Sequence, residues 1–318
     1  MCHLLTNRCP ESAMFPGSTI LEGRRMADIA LLEKSRDQIL KKRPAYTDIL
    51  NFYVRVFQAQ EEIRQQIHID PVSIDPSLLD KKLGHDMPLI DPDQFVMDQS
   101  ASGRLLETLC DIAENRSDEL SKAAVSLKSA IANSRINRKT LFDAVLASDG
   151  ETLSTLSDTI GISAGHLIMF AFLSMSPAIE TGAGQLTVYL KDRSHEKGYC
   201  PVCGNYPDLF FLDDTGKRHL KCSFCSHCWE VGRMGCVICE NNDPDTRQYF
   251  FSPEEKEYRV DVCEVCQKYI KGVDTRHLDR AFFPKLELVA TMHLDIKAGE
   301  AGYASLSDLD PIKEETLS

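Results

Sequence analysis

The chain has no basic excess: 36 Lys and Arg stand against 48 Asp and Glu, a formal charge of −12. Nonspecific binding to phosphate backbones depends on clustered Lys and Arg, so nucleic acid is not an expected partner. Catalytic signatures are also missing. There is no G-x-S-x-G, no H-E-x-x-H, no Walker A and no G-x-G-x-x-G after a strand. Long apolar runs are scarce: the longest, residues 160–175, is interrupted by Ser163, His166 and Ser174 and closed by Pro177. That is too short and too polar for a bilayer span, and it reads as a buried helix with no membrane insertion. The opening residues MCHLLTNRCPESAM have no apolar h-region, so no export signal is read and a cytoplasmic protein is expected.

Cysteine is the one residue present in unusual supply, and it is concentrated. Nine of the twelve lie between Cys200 and Cys266, and eight form four Cys-x-x-Cys pairs: Cys200/Cys203, Cys222/Cys225, Cys236/Cys239 and Cys263/Cys266. Each such turn aims two sulfurs at one point, and a tetrahedral Zn²⁺ or Fe ion needs two turns. Eighteen residues separate the first two pairs and 23 the last two, so sequential pairing predicts two four-thiolate sites. A disulfide framework is the alternative, but it belongs to small secreted domains. Gly204, directly after Cys203, accepts the positive φ that turns backbone N–H groups toward sulfur, a knuckle typical of rubredoxin-like and zinc-ribbon sites.

Four thiolates around one divalent ion leave no open position, which suits structure or one-electron transfer and excludes Lewis-acid hydrolysis. The chain is therefore not expected to be an enzyme. Both zinc and iron accept this geometry, and the residues do not choose between them. Cys222-x-x-Cys225-x-x-Cys228 resembles the opening of a bacterial iron–sulfur motif, but its fourth ligand and following Pro are absent. Cys228 reads as a free thiol beside Trp229 or, more sharply, as a redox-active or exchange ligand. His219 and His227 read as neighbours of the first site rather than ligands. Cys2, Cys9 and Cys110 read as ordinary thiols, His166 as a core or capping histidine, Gly182-Ala-Gly184 as a flexible break, and Asp91, Asp93 and Asp98 as a solvated connector.

At 318 residues and 43% hydrophobic content the chain should form about two globular domains. A loose leader is expected over residues 1–24 and a helical domain over 25–197. Within that domain helices are predicted over 26–42 and from Pro44, with the stripe Tyr46, Ile49, Leu50, Tyr53, Val54, Phe57. A proline-rich connector at 70–93 carries one helical turn near 78–83, and periodicity resumes from Arg104 to about Thr181 with breaks near 133–137 and 148–150. Residues 185–190 fit strand or helix end. Short strand-like runs follow at 209–212, 219–221, 229–231, 248–251 and 258–262, too small to make a core without metal. The expected fold is thus a mainly α N-terminal domain plus a small α+β C-terminal region. That region holds two rubredoxin-like or zinc-ribbon modules, residues 198–234 and 235–280, then a helix over 281–305 and a polar tail over 306–318.

The order of these features resembles the formate dehydrogenase formation protein family, FdhE. The resembling residues are Arg43-Pro44-Ala45-Tyr46 running into Phe52-Tyr53, Pro88-Leu89-Ile90-Asp91, Tyr199-Cys200-Pro201-Val202-Cys203-Gly204, Cys222-Ser223-Phe224-Cys225 with Trp229, Cys236-x-x-Cys239-Glu240, Cys263-x-x-Cys266 with Tyr269-Ile270-Lys271, and Gly302-Tyr303. The resemblance implies a cytoplasmic, noncatalytic maturation factor that binds the catalytic subunit of a molybdenum- or tungsten-dependent formate dehydrogenase. It also implies iron as the metal and the eight paired cysteines as ligands. Cys228, the leader before Met26 and the tail after Tyr303 depart from the family pattern. Two other readings share the ligands: a rubredoxin-type electron carrier, and a zinc-ribbon adaptor, which would need a basic face. Residues 198–280 carry 14 acidic and 11 basic side chains, so a protein surface is the better partner.

Overall fold

Asp and Asn side chains start five of the helices in a computed structural model that describes residues 18–116, 118–191, 193–309 and 311. The helices are α1 (Ser18–Lys42), α2 (Thr47–Arg64), α3 (Pro76–Gly84), α4 (Gln99–Glu114), α5 (Glu119–Ala132), α6 (Arg138–Leu146), α7 (Gly150–Ile160) and α8 (Ala164–Leu186). Asp75, Asp98, Asp118, Asn137 and Asp149 each accept a backbone N–H from the first turn of α3 to α7, satisfying donors that have no partner within the helix. Asp98 is therefore a cap, holding Ala101 N at 2.8 Å and His68 N at 2.9 Å, and not part of an acidic site.

After the helices come β1 (Pro207–Leu212), β2 (Arg218–Cys222), β3 (Cys228–Val231), β4 (Arg247–Phe250), β5 (Tyr258–Cys263) and β6 (Lys268–Asp274). Helices α9 (Pro284–Ala290) and α10 (Met292–Glu300) and the two-residue strand β7 (Ala304–Ser305) close the described chain. The expected mainly α chain with a small C-terminal sheet is present. The two cysteine modules share one sheet, ordered β3-β2-β1-β6-β5-β4 with β7 on β6. Within each module the strands are antiparallel, and the seam between modules is the parallel pair β1 and β6.

Gly272 makes that seam possible. It lies opposite Phe210, and a Cβ there would stand 2.0 Å from Phe210 Cζ. The Phe210 ring, 1% exposed, lies where the missing side chain would be. Gly272→Ala is therefore expected to evict a buried ring and to cost at least about 1–3 kcal/mol, the usual range for overpacking. Urea denaturation of the metal-loaded protein measures it, and an unchanged midpoint would refute the packing argument.

The chain divides into two compact units. One contains the described residues up to Asn51, residues 75–89 and those from Thr187 on; the other contains residues 52–74 and 90–186. This division cuts across the segment expected as a single helical domain, because α1 and α3 belong with the sheet. In the sheet's unit, Leu209, Phe211, Val260, Val262, Tyr269 and Val273 form a core with Leu294 and Ala298 of α10. Arg43 ties the end of α1 to it: Nε donates to Glu255 at 2.8 Å, and the guanidinium lies 5.1 Å from the Tyr258 ring centre. Tyr46 Oη accepts from His293 N at 3.1 Å. The Arg43-to-Tyr46 motif is thus an anchor.

In the other unit α8 is central. Phe170, Ala171, Met175, Ala178 and Ile179 are fully buried. The helix continues past Thr181 and through Gly182 and Gly184, where an end and a flexible break were expected, because Gly182 is itself packed in the core. By length and composition it could cross a membrane, but 61% of its most apolar stretch is buried inside the protein, as in a core helix.

Other expectations shift in detail. The first helix starts at Ser18 rather than Met26, and the leader before it, with Cys2 and Cys9, lies outside the described residues. Residues 185–190 end α8 and add a 3₁₀ turn. The C-terminal helix is two helices, broken at the buried Thr291, whose hydroxyl bonds the Glu287 carbonyl at 2.7 Å. Strand β6 was not anticipated, since Lys268, Lys271, Gly272 and Asp274 disguise it.

Candidate metal centres

The eight paired cysteines form two tetrads, Cys200/Cys203/Cys222/Cys225 and Cys236/Cys239/Cys263/Cys266, each with its sulfurs within 4.8 Å of one another. In both, the first cysteine of one pair meets the second of the other: Cys200 and Cys225 are 3.6 Å apart, Cys203 and Cys222 3.5 Å, Cys236 and Cys266 3.7 Å, Cys239 and Cys263 3.6 Å. A disulfide would bring sulfurs to about 2.05 Å. Sulfurs about 2.3 Å from a central tetrahedral ion stand about 3.8 Å apart, so these spacings fit ligands around a common centre.

Four copies of one backbone device set this geometry. The residue after each second cysteine is left-handed: Gly204 at φ 74°, Ser226 at 59°, Glu240 at 54° and Gln267 at 56°. The turn is closed by a bond from the first cysteine's N–H to the carbonyl five residues on: Cys200 to Asn205 at 2.8 Å, Cys222 to His227 at 2.9 Å, Cys236 to Asn241 at 2.9 Å. In the fourth, Cys263 pairs with Lys268 across β5 and β6. Only Gly204 adopts this conformation freely; a non-glycine residue gives up about 1–2 kcal/mol. Its recurrence at three such residues indicates that the knuckle matters more than that strain.

The knuckles turn N–H groups onto sulfur. Phe224 N and Cys225 N each lie 3.4 Å from Cys222 Sγ. The amides of Asn205 and Asn241 add donors, to Cys203 at 3.6 Å and Cys263 at 3.7 Å. Such donors stabilise thiolate. Burial works against the Cys222 thiolate, but hydrogen bonds from the other three cysteines and the Cys225 N–H outweigh it and hold the pKa well below the ordinary thiol value. Burial likewise opposes Cys263, and the N–H groups of Cys266 and Val265 with Asn241 bring it to about 7. Cys200, Cys225 and Cys236 are pushed up, burial being the largest cause. Four thiolates cannot collect here without a compensating cation, which a divalent ion supplies.

The centres differ in exposure. Cys200, Cys203 and Cys222 are fully buried and Cys225 is 2% exposed, whereas Cys239 is open to solvent and Cys236 and Cys266 are half-buried. The centres are also neighbours in the fold. A Cβ on Gly198, two residues before Cys200, would fall 1.9 Å from the carbonyl oxygen of Val237, inside the second centre's knuckle.

The remaining candidates fall outside both tetrads. His227 stacks on Trp229 with centroids 6.3 Å apart, and burial pulls its pKa to about 4, so it is neutral at pH 7. Trp229 Nε1 donates to the Lys197 carbonyl at 3.0 Å. His219 bonds Asp213 at 3.0 Å and stacks on Phe211. Cys228 opens β3 and its sulfur is not free, so the free-thiol reading is not kept. Cys110 is buried in α4 and burial raises its pKa to about 12, as for an inert thiol. His166 sits in the first turn of α8, its N–H 3.2 Å from Ser163 Oγ. Pro88-Leu89 docks on the first knuckle through Leu89 N and the Pro201 carbonyl at 3.0 Å.

No protein-family model matches the chain. It is 29% identical over 277 residues to the FdhE homologue of Aquifex aeolicus, covering 85% of this chain and 90% of that one. It is 25% identical over 276 residues to the homologue of Erwinia tasmaniensis, covering 86% and 84%. The chain is similar to FdhE proteins along most of its length. Other FdhE relatives align over a shorter stretch: the Escherichia coli K12 protein is 30% identical over 119 residues, 37% of its length. The crystal structure of FdhE from Pseudomonas aeruginosa shares the fold, with a TM-score of 0.63 at 21% identity over 88% of this chain and 93% of that one. The knuckle residues Ser226, Glu240 and Gln267 and the amides of Asn205 and Asn241 escaped the sequence reading. Their signal was positional: each lies one or two residues after a second cysteine.

Proposed function

We propose that this protein is a cytoplasmic, noncatalytic accessory factor in the maturation of formate dehydrogenase. In this reading it holds two metal ions, iron or zinc, in its cysteine tetrads and binds the enzyme's catalytic subunit. The observation that carries the reading is the FdhE likeness along 277 residues in a chain whose eight paired cysteines form two tetrads. Four sulfurs complete the coordination of each ion and leave no site for substrate, so the metal's role is to hold a recognition surface in shape.

The test combines elemental analysis of the reduced, purified protein with its binding to an immobilised formate dehydrogenase catalytic subunit. About two ions per chain and saturable binding are expected. A protein without tightly held metal and without affinity for the subunit refutes the proposal. A second reading, one-electron transfer, is favoured by the exposure of Cys239. It requires iron and reversible bleaching of a visible band at a defined potential; zinc in both centres eliminates it.

A further inference from the structure

The sheet face opposite the α10 core carries a charged cluster. The register aligns Phe210 on β1 with Leu220 on β2 and Gly272 on β6, and Gly272 with Arg259 on β5. Alternation puts Arg218, Asp261, Tyr249 and Arg247 on this same face. The Phe210 ring is flanked by two guanidiniums, Arg218 at 4.5 Å and Arg259 at 4.9 Å. Arg259 also lies 5.7 Å from the Tyr249 ring, which stacks on Phe251 at 6.0 Å.

Three cations here stand against one carboxylate, which two of them share. Asp261 lies 2.9 Å from Arg259 and 3.4 Å from Arg218, and among the described residues no carboxylate pairs with Arg247, its diagonal neighbour on β4. The Nε atoms of Arg218 and Arg247 are buried without a hydrogen-bond partner, and the Arg218 side chain is only 4% exposed. Native proteins seldom leave such donors unmet. The second metal centre is near, since Arg218 Nη1 donates to the Gly235 carbonyl, beside Cys236, at 3.4 Å. Neither orphaned Nε reaches a sulfur, however, so the thiolates do not satisfy them. Beside the cluster, β4 ends the sheet with no strand on its outer edge among the described residues, and Tyr249 and Phe251 are 61% and 53% exposed.

We propose that Arg218, Arg247 and Arg259 form a docking site for an acidic, extended segment of a partner protein. A Glu or Asp side chain enters beside Asp261 and accepts from the orphaned guanidinium N–H groups, while the segment's backbone pairs with the open edge of β4. Charge complementarity supports this occupant, because three cations against one anion leave room for further carboxylates. The open edge and two exposed aromatics favour a polypeptide over a free ion. The accessory reading bears only on which protein supplies the segment.

The test is fluorescence anisotropy of a labelled Thr-Glu-Val-Glu-Val-Glu-Thr peptide with the metal-loaded full-length protein at low salt. The peptide is expected to bind at least tenfold more tightly than its Gln-for-Glu counterpart. Arg247→Gln should weaken binding about tenfold with metal content and circular dichroism unchanged, and Asp261→Asn, which removes the competing carboxylate, should tighten it. No binding, equal binding of the Glu and Gln peptides, or an unaffected Arg247→Gln overturns the site. Displacement of the peptide by an equal concentration of inorganic phosphate also overturns it, identifying a free-oxyanion site instead. Peptide binding without capture of the catalytic subunit refutes only the accessory reading; capture without peptide binding refutes only this site.

Discussion

Stripping both ions from the reduced protein with a chelator is expected to melt the seven-stranded sheet, with loss of β-type circular dichroism and of the cooperative thermal transition. The strands are two to seven residues long, and each knuckle that joins or borders them presents two sulfurs to a tetrad. A structural zinc site in a small peptide contributes roughly 10–16 kcal/mol, which equals or exceeds the roughly 5–15 kcal/mol by which whole domains are stable. The order of loss should follow exposure. The second centre, with Cys239 open to solvent, should yield its ion first, and alkylation followed by mass spectrometry should mark Cys239 before Cys200. Acid works in the same direction, because protons compete with metal for thiolate. With Cys263 held near 7, lowering the pH through that value reprotonates a ligand of the metal-free centre and weakens rebinding. A metal-free protein that keeps its sheet and its melting transition would refute this account.

Glu287→Gln should destabilise the metal-loaded protein by about 3–5 kcal/mol, the range for breaking one side of a buried ion pair. Glu287 is 0% exposed and lies with Arg280, itself 4% exposed, and with the Tyr258 hydroxyl, which donates to it at 2.7 Å. Arg280 Nη2 reaches the same carboxylate at 2.9 Å. Removing the negative charge leaves the buried guanidinium without its carboxylate partner. Tyr258→Phe should cost less, about 1.5–3 kcal/mol for a hydrogen bond to a charged group. The double variant Glu287→Leu with Arg280→Met should recover most of the loss, since a buried pair exchanged for apolar side chains is often near neutral. Urea midpoints measure all three. Glu287→Gln within about 0.5 kcal/mol of the parent would show that water reaches the pair.

The cysteine tetrads were legible because the geometry of a Cys-x-x-Cys turn is written locally. A Cys-x-x-Cys turn needs only its own few residues to aim two sulfurs, so eight ligand candidates could be named before any fold was known. Two helix breaks were legible for a similar reason: those expected near 133–137 and 148–150 fall between α5 and α6 and between α6 and α7. Strand β6 was not, because what holds it is Phe210 from another strand filling the space over Gly272, and a lone sequence shows only a glycine among charges. The Arg218, Arg247 and Arg259 cluster was hidden the same way: 41 residues separate Arg218 from Arg259, and alternation across paired strands brings them to one ring.

What the sequence by itself determined is the chemistry that acts over a few bonds: four pairs of thiols, the helical periods and the absence of a basic surplus. Tertiary structure alone decided which sheet the two modules share, which centre is sheltered and which exposed, and which charges are left without partners inside. Those properties depend on surfaces meeting across long stretches of chain, where burial sets the cost of each unmet group, and no single segment carries that information.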